Sequence, residues 1–564
     1  MKYISYKEST ITETKRIENN KKYIKQQLIK EKEYLDTMFD KIDKNIKLDE
    51  DQKRIILTDE DNIMVIAGAG AGKTTTITAK VNYLIDKQKI KDKEIIVISF
   101  TNKAVNELKE RINKDFNHNV KVTTFHKLAY EIIKKSSTTP PKIIKDETII
   151  LKKYIEETIK NNPNKIKEFI KIYCIYFRKW KIPIYKIITL PLINKIKEIN
   201  RLINIKKYNK IINNNKNYDK LLEYFKQIIN LLKSKNLTPI EIKKLKTNKK
   251  KSKHFLKFIS EIYEYYNQEL ERTNQIDFNE MINKASKIIQ EKNIQNYKYI
   301  IVDEFQDISE SRMNLIKNIT QKIKNKTMVV GDDWQCIYSF ASSNITLFTN
   351  YQKNEKYCEI FKITKTYRNS QELIDIAGKF IQKNPSQIKK RLISNKTKEF
   401  PITILEYKNN EITSSLINAI KYIIRKYGEE KNILVLGRYK FDIDNIRNND
   451  ILKKNKNRII YKKCKTSIDF MTVHAAKGLG YDNVILINSK NDILGFPSKK
   501  KQDDILKTLI PEENTIKYAE ERRLFYVALT RTKNEIIILT PKKNESNFIK
   551  EIKKYKNVKT KRNI

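Results

Sequence analysis

An α/β fold built on doubly wound parallel sheets is what this 564-residue sequence predicts, and three observations carry the prediction. The run Ile63 to Thr76, IMVIAGAGAGKTTT, reads as an apolar strand feeding a glycine-rich turn that opens into a helix. Strand-like runs such as EIIVIS, KYIIV and TMVVG alternate with helical text, as parallel strands joined by crossover helices do. The alternation stops near Ile132 and resumes at Tyr297, so one sheet is interrupted by an insert and then continued.

In chain order, residues 1–47 are polar and charged, with Ile, Leu, Tyr and Phe at helical spacing; they predict an accessory helix ending near Met38 to Ile42. Residues 48–131 open the first αβ unit: a short helix carrying Gln52, the glycine-rich turn, a helix to about Ile85, and the strand EIIVIS. They continue with FTNKAVNELKERI, N-capped by Thr101 or Asn102, and VTTFHKLAY, a strand turning into a helix. Residues 132–275 are rich in Lys, Ile and Asn, carry no strand of comparable quality, and predict a helical insert. The first unit resumes over 276–357. A second spans 358–545, from EIFKITKTYRN through KNILVLGRY and FMTVHAAKGLGYDNVILIN to EERRLFYVALTR and EIIIL. Residues 546–564 read as a mobile basic tail.

Composition bounds the class. Length alone implies several domains. No run of about 18 apolar residues is present, so no membrane span is expected, and MKYISYKEST lacks the apolar core of a signal peptide; the expected location is intracellular, such as the cytoplasm. Cys174, Cys336, Cys358 and Cys464 lie far apart and are expected as free thiols, without disulfide framework or zinc ribbon. Lys and Arg number 116 against 67 Asp and Glu, a net charge of +49, which attracts polyanions such as nucleic acid. Lys, Asn and Ile are abundant together, as AT-rich coding also produces, so the motifs decide.

The glycine-rich turn is a phosphate cradle. Bare N–H groups over Ala67, Gly68, Ala69, Gly70, Ala71 and Gly72, with a helix N-terminus behind them, suit the β- and γ-phosphates of a nucleotide; Ala67 stands where the first glycine is usual. Lys73 would neutralise the terminal phosphates, the Thr74 hydroxyl would ligate Mg²⁺, and Thr75 follows in the same turn. The strand Tyr299 to Val302 runs into Asp303 and Glu304 at the edge where the cradle opens. Asp303 would hold Mg²⁺ through water, and Glu304 would orient and deprotonate the attacking water.

Eight ordered segments carry a resemblance: AGAGAGKT, SFTNKA, TFHKLA, VDEFQD, VGDDWQCIYSF, TYRN, MTVHAAKGL and EERRLFYVALTR. Together they resemble the superfamily-1 DNA helicases of the UvrD/Rep type, and YLDTMFDKIDKNIKLDEDQ, GDDWQ and GFPSKKKQDDIL resemble the helicase IV branch. The resemblance covers residues 38–125 and 276–545. It implies two RecA-like P-loop domains facing each other across an ATP cleft, with the helical insertion in the first; the family's large helical insert in the second is much reduced here, about 90 residues separating Ile376 from Ile468.

By that resemblance Gln52 would read adenine and Tyr367 stack on it, while Gln335 would sense the γ-phosphate. Arg368 and Arg531 would reach that phosphate from the second domain, where bidentate guanidiniums make hydrolysis depend on closure. Phe100, Tyr338 and Phe340 would stack on or pocket bases of the strand, and Asn102, Thr124, His126, Thr472 and His474 would lie near its backbone. Two positions depart from the family's pattern: Gly480 replaces a glutamate expected at the ribose, and Ala341 an arginine. The implied activity is ATP-driven 3′-to-5′ translocation on single-stranded DNA with unwinding, in replication, repair or recombination. The implied partners are ATP, Mg²⁺, single strands and duplex junctions, with unidentified replication, repair or transcription proteins, and the expected state is a monomer. The rivals are a translocase that displaces proteins or remodels RNA polymerase with little unwinding, and a nucleic-acid scaffold with a decayed ATPase.

Overall fold

The computed structural model describes residues 2–177, 204–213, 215–247, 249–292, 297–321, 325–408, 411–448, 450–455, 458–500, 503–510 and 516–562. The first lobe supplies β1 (Asn62–Ala67), β2 (Ile95–Ser99), β3 (Lys121–Thr124), β4 (Lys142–Ile143), β5 (Gln275–Ile276), β6 (Tyr299–Val302), β7 (Lys326–Gly331) and β8 (Glu359–Ile363). Six of them form one parallel sheet in the order β3-β2-β6-β7-β1-β8. NIMVIA, IIVIS and YIIV are unbroken apolar runs because helices cover both faces of a parallel sheet. Parallel pairing sets every carboxyl end at one edge, and that edge holds the site.

The second unit, expected to open at 358, opens later. β8 pairs with β1 from Ile63↔Glu359 to Ala67↔Ile363 and closes the first sheet; its half-exposed strand text cannot specify which sheet edge it joins. The N-terminal segment covers this edge. The Tyr3 hydroxyl donates to Glu359 (2.6 Å), Tyr6 stacks on Tyr357, and buried Arg16 pairs with Glu60 (2.5 Å) while lying 4.0 Å over the Tyr357 ring. The single accessory helix expected here is two, Glu13–Lys30 and Lys32–Thr37. The chain turns at Glu31 so that Leu35, Met38 and Phe39 can pack on Ile56, Leu57, Ala79 and Tyr83.

The insert begins past Ser136 rather than at 132, because helix Phe125–Ser136 buries Ile132 and Ile133 in the core of the first lobe. The parallel bridge of β4 with β5 ties the base of the insert shut, a short strand pair in a stretch that reads as almost wholly helical. Helices Thr148–Tyr154, Pro163–Phe177, Asn215–Ser234, Pro239–Lys244 and Lys250–Arg272 follow; residues 178–203 of the predicted insert lie outside the described residues. The insert's core also takes Ile505, Leu509 and Ile510 from the second lobe, on helix Asp504–Leu509 and just beyond it.

The second lobe is one eight-stranded sheet. Its strands are β9 (Ile402–Tyr407), β10 (Ile433–Gly437), β11 (Leu452–Asn455), β12 (Arg458–Tyr461), β13 (Ile468–Thr472), β14 (Tyr481–Leu486), β15 (Thr532–Pro541) and β16 (Val558–Lys561). Their order is β11-β12-β13-β10-β14-β15-β9-β16, parallel except for the β11–β12 hairpin and its join to β13. Residues 546–562 are therefore not a mobile tail. Helix Asn547–Ile552 buries Phe548, Ile549 and Ile552, and β16 pairs with β9; the surrounding lysines masked this apolar stripe. Among the described residues no helix is long and apolar enough to cross a membrane.

Candidate nucleotide site and strand interface

The loop after β1 has the backbone its glycines permit. Gly70 (φ 72°) and Gly72 (φ 79°) occupy the left-handed region, and a Cβ at Gly68 would meet the Leu392 side chain at 2.5 Å. Ala67 ends β1 in extended, buried backbone, so alanine suffices there. Ala69 and Ala71 are buried in the loop. Helix Lys73–Asp86 starts at once, its first N–H groups free for an anion. Thr74 lies in its first turn, and Thr75 accepts a hydrogen bond from Arg111 (3.3 Å).

Beside the loop, Lys73 Nζ lies 2.8 Å from Glu304 Oε1. Glu304 takes φ 52°, a conformation rare for a side-chain-bearing residue, which bends the chain sharply at the end of β6 and turns its carboxylate to Lys73. Burial opposes ionisation of Glu304, yet Lys73 and Lys477 outweigh it and hold the carboxyl at about 2. Asp303 goes the other way, pushed up by burial and by the like charge of Glu304. Two adjacent carboxyls thus sit in opposed electrostatic settings. Ser99 donates to Asp303 Oδ2 (3.3 Å), while buried Oδ1 has no protein partner, which fits a divalent cation or its water shell.

From this pair a hydrogen-bonded chain crosses to the second lobe. Gln306 Nε2 donates to Glu304 Oε2 (2.5 Å), and Gln306 Oε1 accepts from the Asp332 N–H (2.8 Å). Asp332 Oδ2 accepts from Gln335 Nε2 (2.6 Å), and Gln335 Oε1 accepts from Arg531 Nη2 (3.0 Å). Arg531 is fully buried; burial and the like charge of Arg368 push it down to about 9. Arg368 Cβ lies 2.5 Å from where a Cβ of Gly70 would stand, and its Nε 3.3 Å from that of Gly480. Where a glutamate was expected, Gly480 leaves room for this guanidinium. Both arginines lie within electrostatic reach of Glu304, the carboxylate paired with Lys73.

Gln52 is turned into the loop rather than outward. As the third residue of an Asp49 capping box, its Oε1 accepts from the Asp49 N–H (3.0 Å), and Nε2 donates to Thr76 Oγ1 (3.0 Å). The Tyr367 ring is 41% exposed beside Gly72; its hydroxyl donates to Asp49 (3.2 Å) and its N–H to the Gly70 carbonyl (3.0 Å).

The residues expected along the strand form two groups. Tyr338, Phe340 and His474 cluster across the lobes, with ring centroids 5.4 to 6.4 Å apart, the Tyr338 hydroxyl donating to the His474 carbonyl (3.0 Å), and Phe340 46% exposed. In the first lobe Phe100 packs edge-on against Phe125 under the Arg312 guanidinium (4.6 Å), and His126 packs edge-on against exposed Phe278 (5.1 Å). Burial, with Arg312 at His126 and with Arg438 and Lys477 at His474, pushes both imidazoles down to about 4, so they are neutral hydrogen-bonding groups. Asn102 is exposed in the first turn of its helix. Thr124 caps helix Phe125–Ser136, and Thr472 accepts from the Ala475 N–H (3.3 Å).

Six participants were not singled out from sequence: Gln306, Asp307, Asp332, Asp333, Lys477 and Lys390. Lys477 reaches across the lobes to Asp307, and both lie inside quoted motifs, VDEFQD and AAKGL. Lys390, paired with Asp332 and Asp333, lies in no motif.

A phosphate loop, an acidic strand end and arginines from a facing lobe define a P-loop nucleoside triphosphatase whose site is shared by two lobes. Comparison with known proteins narrows the class. The profile of the UvrD/REP helicase N-terminal domain matches residues 48–356, and that of the UvrD-like helicase C-terminal domain matches residues 448–543. Similar proteins include DNA helicase IV of Escherichia coli (28% identical over 551 residues, 96% of this chain and 74% of the relative). Others are the ATP-dependent DNA helicase Rep of Buchnera aphidicola from Acyrthosiphon pisum (28%, 89% of this chain, 70% of the relative) and PcrA of Staphylococcus aureus (24%, 61% and 41%). The chain belongs to the UvrD/Rep helicase family and is an ATP-dependent DNA helicase.

Proposed function

We propose that the chain couples ATP hydrolysis in the interlobe cleft to 3′-to-5′ movement of a monomer along single-stranded DNA, opening duplex ahead of it in replication, repair or recombination. The observation that carries this reading is the hydrogen-bonded chain from Lys73 through Glu304, Gln306, Asp332 and Gln335 to Arg531, which joins the phosphate end of the site to the opposite lobe. Terminal phosphates would compete with Glu304 for the Lys73 ammonium. Glu304, released, would orient and deprotonate the attacking water, while Arg368 and Arg531 neutralise charge on the transferring group. Adenine would lie on the exposed Tyr367 face next to Gln52. Thr74 and Asp303 would hold Mg²⁺, which neutralises phosphate charge when bound. The strand contacts at Tyr338, Phe340 and His474 straddle both lobes, so closure would shift the grip on bases.

Lys73→Ala and Glu304→Gln variants should bind DNA and lose DNA-stimulated hydrolysis; retained hydrolysis overturns the roles. Unwinding of 3′-tailed but not 5′-tailed duplex is the expected polarity. One observation favours a second reading, a translocase that displaces proteins with little unwinding. Between helix Gln371–Ile381 and β13, the described chain builds β9, helix Ile412–Tyr427, β10 and a hairpin, and no separate helical domain. Comparing forked-duplex unwinding with displacement of a bound protein separates the two.

A further inference from the structure

We propose that Lys390 is a positioning residue for hydrolysis: arriving from the second lobe, it secures the Asp332 carboxylate and thereby fixes the Gln335 carboxamide with its oxygen towards Arg531. The inference rests on the ATPase reading above and adds a residue outside every recognised motif. Lys390 is 6% exposed, and its ammonium spends three donors on three acceptors: Asp332 Oδ1 (2.5 Å), Asp333 Oδ1 (2.9 Å) and the Ala67 carbonyl (3.4 Å). The Trp334 ring lies 4.5 Å beneath it. One side chain thus ties the start of the phosphate loop to the turn after β7.

The orientation argument is one of donors and acceptors. A carboxamide has nearly the same shape either way round, so its neighbours decide which end faces which group. An ionised Asp332 only accepts, so it takes Gln335 Nε2 (2.6 Å); the oxygen is left for Arg531, which only donates (3.0 Å). A protonated carboxyl would become a donor, turn the amide, and set its NH₂ group against the guanidinium.

The charged and titratable groups around Asp332 are Lys390, Asp333, Lys73, Arg531 and Tyr526. Burial pushes Asp333 up and Asp332 adds to it, while Lys390 opposes them. Without Lys390 no ammonium among the described residues bonds the Asp332–Asp333 pair directly, so the pair, titrating as a unit, holds a shared proton to higher pH. A merely structural lysine would lower stability and leave the pH dependence of turnover alone; a positioning lysine changes that dependence.

The test is DNA-stimulated ATP turnover by the full chain across pH 5.5 to 8.5, for wild type, Lys390→Met and Lys390→Arg. K390M should gain an ionisation in kcat absent from wild type. Turnover should fall at least tenfold at pH 6 and recover with rising pH, with KM for ATP changing less than about threefold, and K390R should restore the wild-type profile. Because K390M leaves two carboxylates uncompensated, K390M/D333N repeats the test with one fewer and should keep the new ionisation, which D333N alone should lack. A wild-type pH profile in K390M or in K390M/D333N, at whatever rate, overturns the proposal. Absence of DNA-stimulated turnover in wild type would instead overturn the ATPase reading on which it rests.

Discussion

Replacing Arg531 by lysine separates what the guanidinium does for the fold from what it does for catalysis. Arg531 donates to the carbonyls of Val527 (2.9 Å) and Leu479 (3.1 Å), to Gln335 Oε1 (3.0 Å) and to Thr530 Oγ1 (3.1 Å), from a fully buried position. A lysine keeps the charge but carries all its donors on one nitrogen, so at least two of these acceptors, which lie in different directions, lose theirs. At about 1–3 kcal/mol for each buried group left unpaired, the fold should weaken by about 2–6 kcal/mol. Turnover should fall further. Arginines supplied across a cleft contribute roughly 10³-fold or more, equivalent to about 4 kcal/mol of barrier. The assay is DNA-stimulated ATP turnover at a temperature where circular dichroism finds the variant folded, with urea titration for stability. A kcat reduced roughly 10³-fold with KM within tenfold of wild type is expected. A folded R531K that keeps more than a tenth of wild-type kcat would falsify the interlobe mechanism.

Two further outcomes follow from the same geometry. Phe340→Ala removes a ring that is 46% exposed, so stability should be unaffected, while affinity for a single-stranded oligonucleotide should drop by about 1–3 kcal/mol, roughly 5- to 150-fold; unchanged affinity would remove Phe340 from the strand path. Ile505→Ala should weaken the clasp between the second lobe and the insert by about 2–4 kcal/mol, seen as faster hydrogen exchange of residues 503–510. Exchange identical to wild type would mean that the clasp contributes nothing to the docking of the insert.

What the sequence made legible was whatever a short contiguous stretch specifies. The glycines at 70 and 72 are needed because those two residues have positive φ, and the apolar runs of β1, β2 and β6 name buried strands by themselves. What stayed hidden depends on pairing between remote segments. β8 looks like the first strand of a second unit until its partner is known to be β1. β9 went unread although ITILEY is mostly apolar, because nothing local says which strand it joins, and β16 because NVKTK carries little apolar text; their places come from pairing with β15 and with each other. Gln52 matches the expected position, yet its carboxamide is already engaged by Asp49 and Thr76, a fact of the capping geometry and not of the residue type.

Charge was the least legible signal, for a physical reason. With 116 Lys and Arg in the chain, residue type singles out no cation, and outside the motifs local pattern singles out none either. A lysine in water is tolerated almost anywhere, so coding bias can spread lysines freely over the surface. A buried ammonium must be matched by oxygen acceptors or lose several kcal/mol to desolvation, so bias cannot place one there alone. Burial with pairing therefore picks out a small set. Lys80 serves the Ile56 and Thr58 carbonyls, and Lys233 serves Asp277 and Glu280; both lie outside the cleft and act as staples. Lys73, Lys390 and Lys477 converge instead on the acids that follow β6 and β7: Glu304, the Asp332–Asp333 pair, and Asp307. Three lysines from distant parts of the chain, drawn to two adjacent strand ends, make that edge a place where charge links both lobes, and a charge change there must be felt across the cleft.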